Sequence, residues 1–139
     1  MINVAINGFG RIGRLVLRAG IKDKNINWVA VNDVTDPKTL AHLFKYDSVH
    51  GIFKAEISHT ERSITVNGKE IKVFAEKGPA NLPWKDQGVH IVIESTGHFL
   101  DKAGAQKHLL AGAQKVILSA PPKDSSIKAV VVGINDSLL

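Results

Sequence analysis

The chain contains no cysteine among its 139 residues. Without a thiol it forms no disulfide, offers no cysteine ligand to a metal ion and supplies no thiol nucleophile. Its six histidines stand apart from one another, and no two have the i, i+4 spacing of a helical zinc motif. We therefore expect no metal site.

Aromatic residues and long apolar runs are also scarce. Aromatic side chains make up 6% of the chain and are not interleaved with basic ones, unlike the pattern in proteins that stack single-stranded nucleic acid. The longest apolar segments, such as 129–132, are far shorter than the roughly 20 residues that span a bilayer. The N-terminus has no features of a secretory signal, so we expect a cytoplasmic protein without membrane association.

Basic residues outnumber acidic ones and give a net charge of +5. Such a charge favours an anionic ligand, either a phosphate-bearing small molecule or a nucleic acid. The lysines and arginines are scattered, with no run of five, so nucleic acid is not expected as the primary ligand. The length and the 44% hydrophobic content fit a single globular domain.

The most informative segment is residues 2–13, where an apolar strand leads into a turn rich in glycine. The turn reads Gly8-Phe9-Gly10-Arg11-Ile12-Gly13 and precedes a helical pattern. In this order the glycines permit a tight turn, a close approach of backbone to phosphate and close packing of helix on strand. The free N–H groups of the helix N-terminus then favour a pyrophosphate. The segment predicts dinucleotide binding.

The helix after this turn is expected to bury an apolar stripe and expose its arginines: Ile12, Leu15 and Val16 inward, Arg11, Arg14 and Arg18 outward. A second strand at 28–31 ends in Asn32-Asp33. Asp33 follows the turn at the sequence separation that is typical of dinucleotide-binding units. In such units an acidic residue at this position accepts hydrogen bonds from the adenosine ribose hydroxyls.

The rest of the chain alternates between predicted helices and strands. The first part is expected to form a helix capped by Asp36 that buries Leu40, Leu43 and Phe44, then a loop at 46–53 and a hairpin at 63–73 that turns at Asn67-Gly68. After a loop at 78–84 we expect a strand at 89–94, a helix at 101–111, and strands at 115–119 and 128–132. This alternation predicts an α/β fold: a doubly wound, mostly parallel sheet of the Rossmann type with a small antiparallel hairpin insertion.

Parallel sheets bind ligands at the carboxyl ends of their strands. Besides the glycine turn and Asn32-Asp33, two further strand ends carry suitable groups. Thr96-Gly97 offers a hydroxyl and a small residue, and Ser119-Ala120 does the same. We expect all four strand ends to face one ligand.

Six sequence blocks resemble phosphorylating glyceraldehyde-3-phosphate dehydrogenases, in the order and spacing of that family and across the whole chain. They are Ala-Ile-Asn-Gly-Phe-Gly-Arg-Ile-Gly-Arg at 5–14, Val-Asn-Asp at 31–33, Lys-Tyr-Asp-Ser-Val-His-Gly at 45–51, Glu-Ser-Thr-Gly at 94–97, Ala-Gly-Ala-Gln-Lys at 111–115 and Ser-Ala-Pro at 119–121.

The resemblance implies NAD as the cofactor, because the carboxylate of Asp33 would repel the 2′-phosphate of NADP. It implies that Arg11 and Ile12 meet the pyrophosphate, mainly through backbone N–H groups, and that Asp33 holds the adenosine ribose. It also implies that Lys77 lines the adenine pocket, that Thr96, Gly97 and Phe99 flank the adenosine and the ribose-phosphate path, and that Ser119 and Ala120 lie near the nicotinamide. The remaining residues expected to bind the cofactor are Gly8, Phe9, Gly10, Gly13 and Asn32. Two alternatives stay open: Phe99 as a core residue and Lys77 as a solvated one.

The family's nucleophile is a cysteine thiolate, which this chain lacks. By resemblance, that cysteine belongs just beyond Leu139, and the catalytic histidine follows later. We therefore expect residues 1–139 to be the NAD-binding domain without the catalytic domain, able to bind NAD but containing no catalytic residue. The family's full chains form homotetramers, with residues 46–53 near subunit contacts.

Three alternatives remain. The chain could be the same half of an erythrose-4-phosphate dehydrogenase, although Asn32-Asp33 and residues 95–99 favour the glyceraldehyde enzyme. It could be a non-catalytic NAD-binding module. It could also bind nucleic acid through a positive cofactor groove, which a steep salt dependence would reveal.

Overall fold

The computed structural model describes residues 1–139. Its elements are, in chain order, β1 (Ile2–Asn7), α1 (Arg11–Gly20), β2 (Ile26–Asn32), α2 (Pro37–Lys45), β3 (Ile57–His59), β4 (Ser63–Val66), β5 (Lys69–Phe74), β6 (Ile91–Glu94), α3 (Lys102–Leu110) and β7 (Lys115–Leu118), with short 3-10 turns at Pro79–Asn81 and Asp136–Leu138.

The seven strands form one sheet in the order β3-β4-β5-β2-β1-β6-β7. The five neighbouring strands β5, β2, β1, β6 and β7 are parallel to one another, whereas β4 pairs antiparallel with both β3 and β5. From β1 the chain moves first to β2 on one side and later to β6 on the other, so the order reverses beside β1. Ligands of doubly wound sheets bind at such a reversal. The predicted fold class is confirmed.

Both faces of the sheet are covered by apolar side chains. Leu17, Leu40 and Phe44 from α1 and α2 pack on one face, and Leu82 and Trp84 pack on the other. Along β1, Val4 and Ile6 join the first cluster while Ala5 joins the second, as the alternation of side chains in a strand requires. A sheet buried on both faces is typical of parallel α/β proteins.

The hairpin and the second helix form as predicted. Asn67 and Gly68 have φ of 49° and 80°, which is the left-handed conformation that a two-residue hairpin turn needs. The Asp36 side chain accepts from the N–H of Thr39 and so caps α2, with Pro37 in its first turn. Leu43, however, is 38% exposed, and Ala41 is buried in its place.

The prediction that all three arginines of α1 face solvent is wrong: Arg11 is exposed, but Arg14 and Arg18 are half-buried. Arg18 donates to the carbonyls of Phe44, Lys45 and Gly51 at 2.7–3.1 Å, and Arg14 donates to the carbonyl of Phe9 at 3.0 Å. Arg18 therefore joins α1 to the end of α2 and to the loop at 46–53. Leu17 takes the buried position on this helix, while Ile12 is 49% exposed.

Two strand assignments differ from the sequence interpretation. The short edge strand β3 was not predicted, because three residues are too few to show an alternating pattern. The predicted strand at 128–132 is wrong: these residues adopt no strand, and Val132 begins a turn. The Asn135 side chain accepts from the N–H of Val131 and donates to the carbonyl of Ala129, which satisfies the backbone without a neighbouring strand.

None of the helices has the length and apolar character that a membrane-spanning segment requires.

Replacing Gly13 by alanine should destabilise the fold. A Cβ at Gly13 would lie 2.2 Å from the carbonyl oxygen of Gly8, so α1 would have to move away from β1. We expect a loss of about 1–3 kcal/mol in the free energy of unfolding, despite a gain of about 1 kcal/mol in helix propensity. Urea denaturation measures this loss.

Gly10→Ala is the matched control, because a Cβ at Gly10 meets no atom within 4 Å. Its free energy of unfolding should stay within about 0.5 kcal/mol of the unsubstituted chain. Equal denaturation midpoints for the two variants would show that the approach of α1 to β1 does not constrain the fold.

Candidate functional site

A cleft of about 410 Å³ lies at the carboxyl ends of β1, β2 and β6. Seven of the predicted site residues line it: Gly8, Gly10, Asn32, Asp33, Lys77, Thr96 and Phe99. Five further residues line it that the sequence did not single out: Asn7, Val34, Glu76, Ser95 and His98. The structure thus brings three of the four predicted strand ends to one cavity.

The glycine turn forms the floor between β1 and α1. Gly8 has φ of +93°, and a Cβ there would lie 2.7 Å from the backbone N of Thr96, so only glycine lets this turn pack against the end of β6. No side chain caps α1. The N–H groups of its first turn, which a helix cannot satisfy internally, therefore remain for a ligand.

The other residues of the turn have separate roles. The Phe9 side chain is buried and packs on Phe44, with ring centroids 5.8 Å apart. Gly13 is buried against Gly8, whereas Arg11 and Ile12 are exposed. None of these four predicted residues is among those that line the cleft.

Asp33 is held between the glycine turn and the loop after β2. Its Oδ2 accepts from the N–H of Phe9 at 2.9 Å, and its Oδ1 accepts from the N–H of Thr35 at 3.0 Å. Each carboxylate oxygen can accept a second hydrogen bond. The carboxylate is thus oriented and still able to accept from two neighbouring hydroxyls.

Val34 and Phe99 are the apolar members of the lining. Phe99 is half-buried, with the ammonium of Lys107 5.5 Å from its ring centroid, so it is not a core residue. Lys77 is exposed and lines the same cleft. This edge can hold a flat ring beside a positive charge.

Three further predicted residues, at other strand ends, also lie outside the lining. Gly97 sits in an exposed turn with φ of +77°. The hydroxyl oxygen of Ser119 lies 3.0 Å from that of Ser95 and 3.1 Å from the carbonyl oxygen of Glu94, with one proton to donate to either, so Ser119 lies just beyond the cleft on the β7 side. Ala120 follows it and is half-buried.

A buried polar network supports the cleft from below. Glu94, at the end of β6, is 0% exposed. Its Oε2 bonds with Nδ2 of Asn7 and Nε2 of His108, both at 2.6 Å. Its Oε1 accepts from the N–H of Thr96 at 2.9 Å and from its hydroxyl at 2.6 Å.

The geometry determines the proton position on His108. The indole Nε1 of Trp84 lies 2.9 Å from Nδ1 of His108. Because an indole N–H only donates, Nδ1 carries no proton and the ring proton is on Nε2. His108 is therefore neutral and donates to an ionised Glu94.

The hydrogen bonds also account for the ionisation of Glu94. Burial acts to raise the pKa of Glu94, but hydrogen bonds from His108, Thr96 and Asn7 outweigh it and hold the pKa below its ordinary value. The carboxylate is charged at neutral pH although no cation contacts it. Four donors take the place of a counter-ion.

The network continues from Asn7 to the opposite side of the cleft. Asn32 donates to Oδ1 of Asn7 at 2.7 Å and exchanges two hydrogen bonds of 2.9 Å with the backbone of Glu76. Asn7, Asn32 and Glu94 are the last residues of β1, β2 and β6. Asn7 and Glu94 were not predicted as site residues, although a polar residue closing an apolar strand is a signal that identifies both; we find no such signal for Glu76 or His98.

The sequence of this chain is similar to those of known proteins. Residues 2–102 match the family described as "Glyceraldehyde 3-phosphate dehydrogenase, NAD binding domain". The chain is 58% identical over 135 residues to glyceraldehyde-3-phosphate dehydrogenase 1 of Bacillus cereus, with 97% of this chain and 40% of the relative covered.

Two further relatives are glyceraldehyde-3-phosphate dehydrogenases. The protein of Thermotoga maritima is 59% identical over 141 residues, with 100% of this chain and 42% of the relative covered. The protein of Geobacillus stearothermophilus is 58% identical over 134 residues, with 96% and 40% covered. The chain thus spans about two-fifths of the length of these curated relatives.

Glu94→Gln should change how stability depends on pH. Because the folded pKa of Glu94 lies below its ordinary value of 4.5, its ionised form stabilises the fold fully above that pH, and this contribution is lost as the pH falls through the folded pKa. An amide has one acceptor and one donor group, so it cannot accept on both sides of the network. We expect a loss of about 2–3 kcal/mol in the free energy of unfolding at pH 7.

That deficit should shrink as the pH falls below 4.5, since Glu94 of the unfolded chain then takes up a proton while the folded carboxylate does so only below its own, lower pKa. Urea denaturation at a series of pH values measures it. Glu70→Gln, which removes an exposed carboxylate on β5, is the matched control. A deficit independent of pH would mean that Glu94 is not ionised in the folded protein.

Proposed function

The chain belongs to the glyceraldehyde-3-phosphate dehydrogenase family and contains that family's NAD-binding domain, and from this premise we propose that the cleft beside the glycine turn is where NAD binds. The single observation that carries the proposal is the 2.9 Å hydrogen bond from the N–H of Phe9 to Asp33. It places an oriented carboxylate directly beside the open N-terminus of a helix. A ribose and the phosphate attached to it need these two groups side by side.

The turn has the features that a pyrophosphate requires. The Cβ direction of Gly10 is empty, and Gly10 lines the cleft immediately before α1. A backbone with no side chain at this point can approach phosphate oxygens closely. The first-turn N–H groups of Arg11 and Ile12, at the positive end of α1, would donate to those oxygens.

Charge favours NAD over NADP at this position. The Asp33 carboxylate would accept hydrogen bonds from the ribose hydroxyls, and a 2′-phosphate would bring a second anion against it. Val34 and Phe99 would contact the adenine, with Lys77 beside it, and Thr96 and Gly97 would flank the ribose-phosphate path. Ser119 and Ala120 continue this path toward β7 and would approach the nicotinamide.

The activity of the whole protein is a further part of the proposal. We infer that residues 1–139 serve as the NAD-binding domain of an enzyme that oxidises glyceraldehyde 3-phosphate, with NAD supplying the hydride acceptor. A second domain would supply the thiol, and the complete enzyme would be a cytoplasmic homotetramer. The relatives named above are glyceraldehyde enzymes, so the erythrose-4-phosphate alternative is not favoured.

Titration calorimetry with NAD tests the site. The unsubstituted chain should bind NAD saturably, and Gly10→Ala should weaken NAD binding by about tenfold or more because its methyl group enters the space for the pyrophosphate. Adenosine, which has no phosphate, is the control ligand. Its affinity should be the same for both proteins.

Two results would contradict the proposal in different ways. If the unsubstituted chain does not bind NAD, the proposed function is wrong. If NAD binds equally well to Gly10→Ala, the pyrophosphate does not lie on the glycine turn.

The isolated chain should have no dehydrogenase activity. It contains no cysteine, so no thiohemiacetal can form with the aldehyde. With NAD, glyceraldehyde 3-phosphate and inorganic phosphate, NADH absorbance should not rise above that of a blank. The full-length Geobacillus stearothermophilus relative is the positive control, and NADH formation by the isolated chain would refute this prediction.

A further inference from the structure

We propose that Glu94 and His108, neither of which lines the cleft, act as positioning residues that hold its two walls apart at the spacing NAD needs. The near wall consists of residues 95–99 after β6, and the far wall consists of residues 76–77 after β5. This inference rests on the proposed function. It assigns the control of cofactor affinity to a buried pair below the site.

One oxygen of Glu94 holds the near wall. Oε1 accepts both the N–H and the hydroxyl of Thr96. The same Thr96 hydroxyl accepts from the N–H of His98 at 3.1 Å. Three consecutive bonds therefore set the course of the loop whose side chains line the cleft.

The other oxygen reaches the far wall through two amides. Oε2 accepts from Asn7, Asn7 accepts from Asn32, and Asn32 pairs with both backbone groups of Glu76, with distances between 2.6 and 2.9 Å. Asn7 donates from its nitrogen to Glu94 and accepts at its oxygen from Asn32. Asn32 donates from its nitrogen both to Asn7 and to the carbonyl of Glu76, and its oxygen accepts from the N–H of Glu76. The order of donors and acceptors is therefore determined along the whole path, and the carboxylate is where it starts.

His108, on α3, stabilises that carboxylate with a hydrogen bond of its own. It supplies one of the two donors to Oε2, and the indole of Trp84 keeps it in the tautomer that donates. All three side chains are 0% exposed. If His108 cannot donate, Oε2 retains only Asn7, and the buried charge is under-satisfied.

A role in core packing alone would not require a charge here. A buried carboxylate bonded to a neutral imidazole has no net electrostatic advantage over an apolar pair of similar volume, because of the cost of removing the charge from water. What the carboxylate adds is direction: its two oxygens point to the two walls. The network is therefore better suited to positioning than to stability.

Two buried substitutions distinguish positioning from packing. His108→Phe keeps a ring of similar shape but removes the donor to Glu94. Leu82→Ala removes apolar volume from the same buried cluster and leaves every hydrogen bond of the network in place. Both should lower the stability of the chain.

The readouts are the dissociation constant for NAD by calorimetry and the exchange rate of the Thr96 amide proton by NMR. We expect His108→Phe to weaken NAD binding about tenfold and to accelerate Thr96 exchange, and Leu82→Ala to change neither. Unaltered NAD affinity in His108→Phe, or an equal loss in Leu82→Ala, would overturn the positioning role.

A second variant applies if His108→Phe does not fold. Glu94→Gln keeps the shape of the side chain but leaves only one acceptor oxygen for the four donors, so Thr96 exchange should accelerate and NAD binding should weaken. An affinity equal to that of the unsubstituted chain would overturn the proposal. If the unsubstituted chain does not bind NAD, the proposed function fails, and Thr96 exchange alone then decides the positioning role.

Discussion

A single buried carboxylate sits where three parallel strands of this sheet end. Glu94 has no cation in contact, and four donors from Asn7, His108 and Thr96 satisfy its oxygens. Because an unpaired buried charge is costly, these donors cannot be displaced independently. The positions of the turn after β1, the loop after β6 and the underlying helix α3 are thereby linked, and the cleft is the space that they leave.

The glycines complete this arrangement by allowing backbone segments to touch. Gly8 lets the turn after β1 meet the backbone of Thr96, and Gly13 lets α1 meet the turn. The first contact brings the glycine turn against the loop that Glu94 holds, and the second places the open end of α1 over the same cavity. Hydrogen bonding and close packing therefore act on the same few residues.

Local signals in the sequence predicted the features that depend on near neighbours. The Asn67-Gly68 turn, the Asp36 cap and the glycine turn each follow from two to six consecutive residues, and the structure contains all three. The strand predicted at 128–132 failed because a strand needs a partner, and here Asn135 satisfies the backbone instead. The link between Glu94, His108 and Trp84 was beyond local reasoning, since only the folded sheet brings these side chains together.

The pairing of β1 with β6 has a consequence for the order of folding. Asn7 and Glu94 are 87 positions apart, whereas β1, α1 and β2 are consecutive along the chain. Contacts between distant residues require the closure of a long loop and form slowly compared with local ones. The glycine turn can therefore take shape early within its own unit, but the cavity exists only after the chain has returned to place β6 beside β1. A dinucleotide that binds at the proposed site would therefore meet it only when the sheet is nearly complete, and it would not act as a template for the first steps of folding.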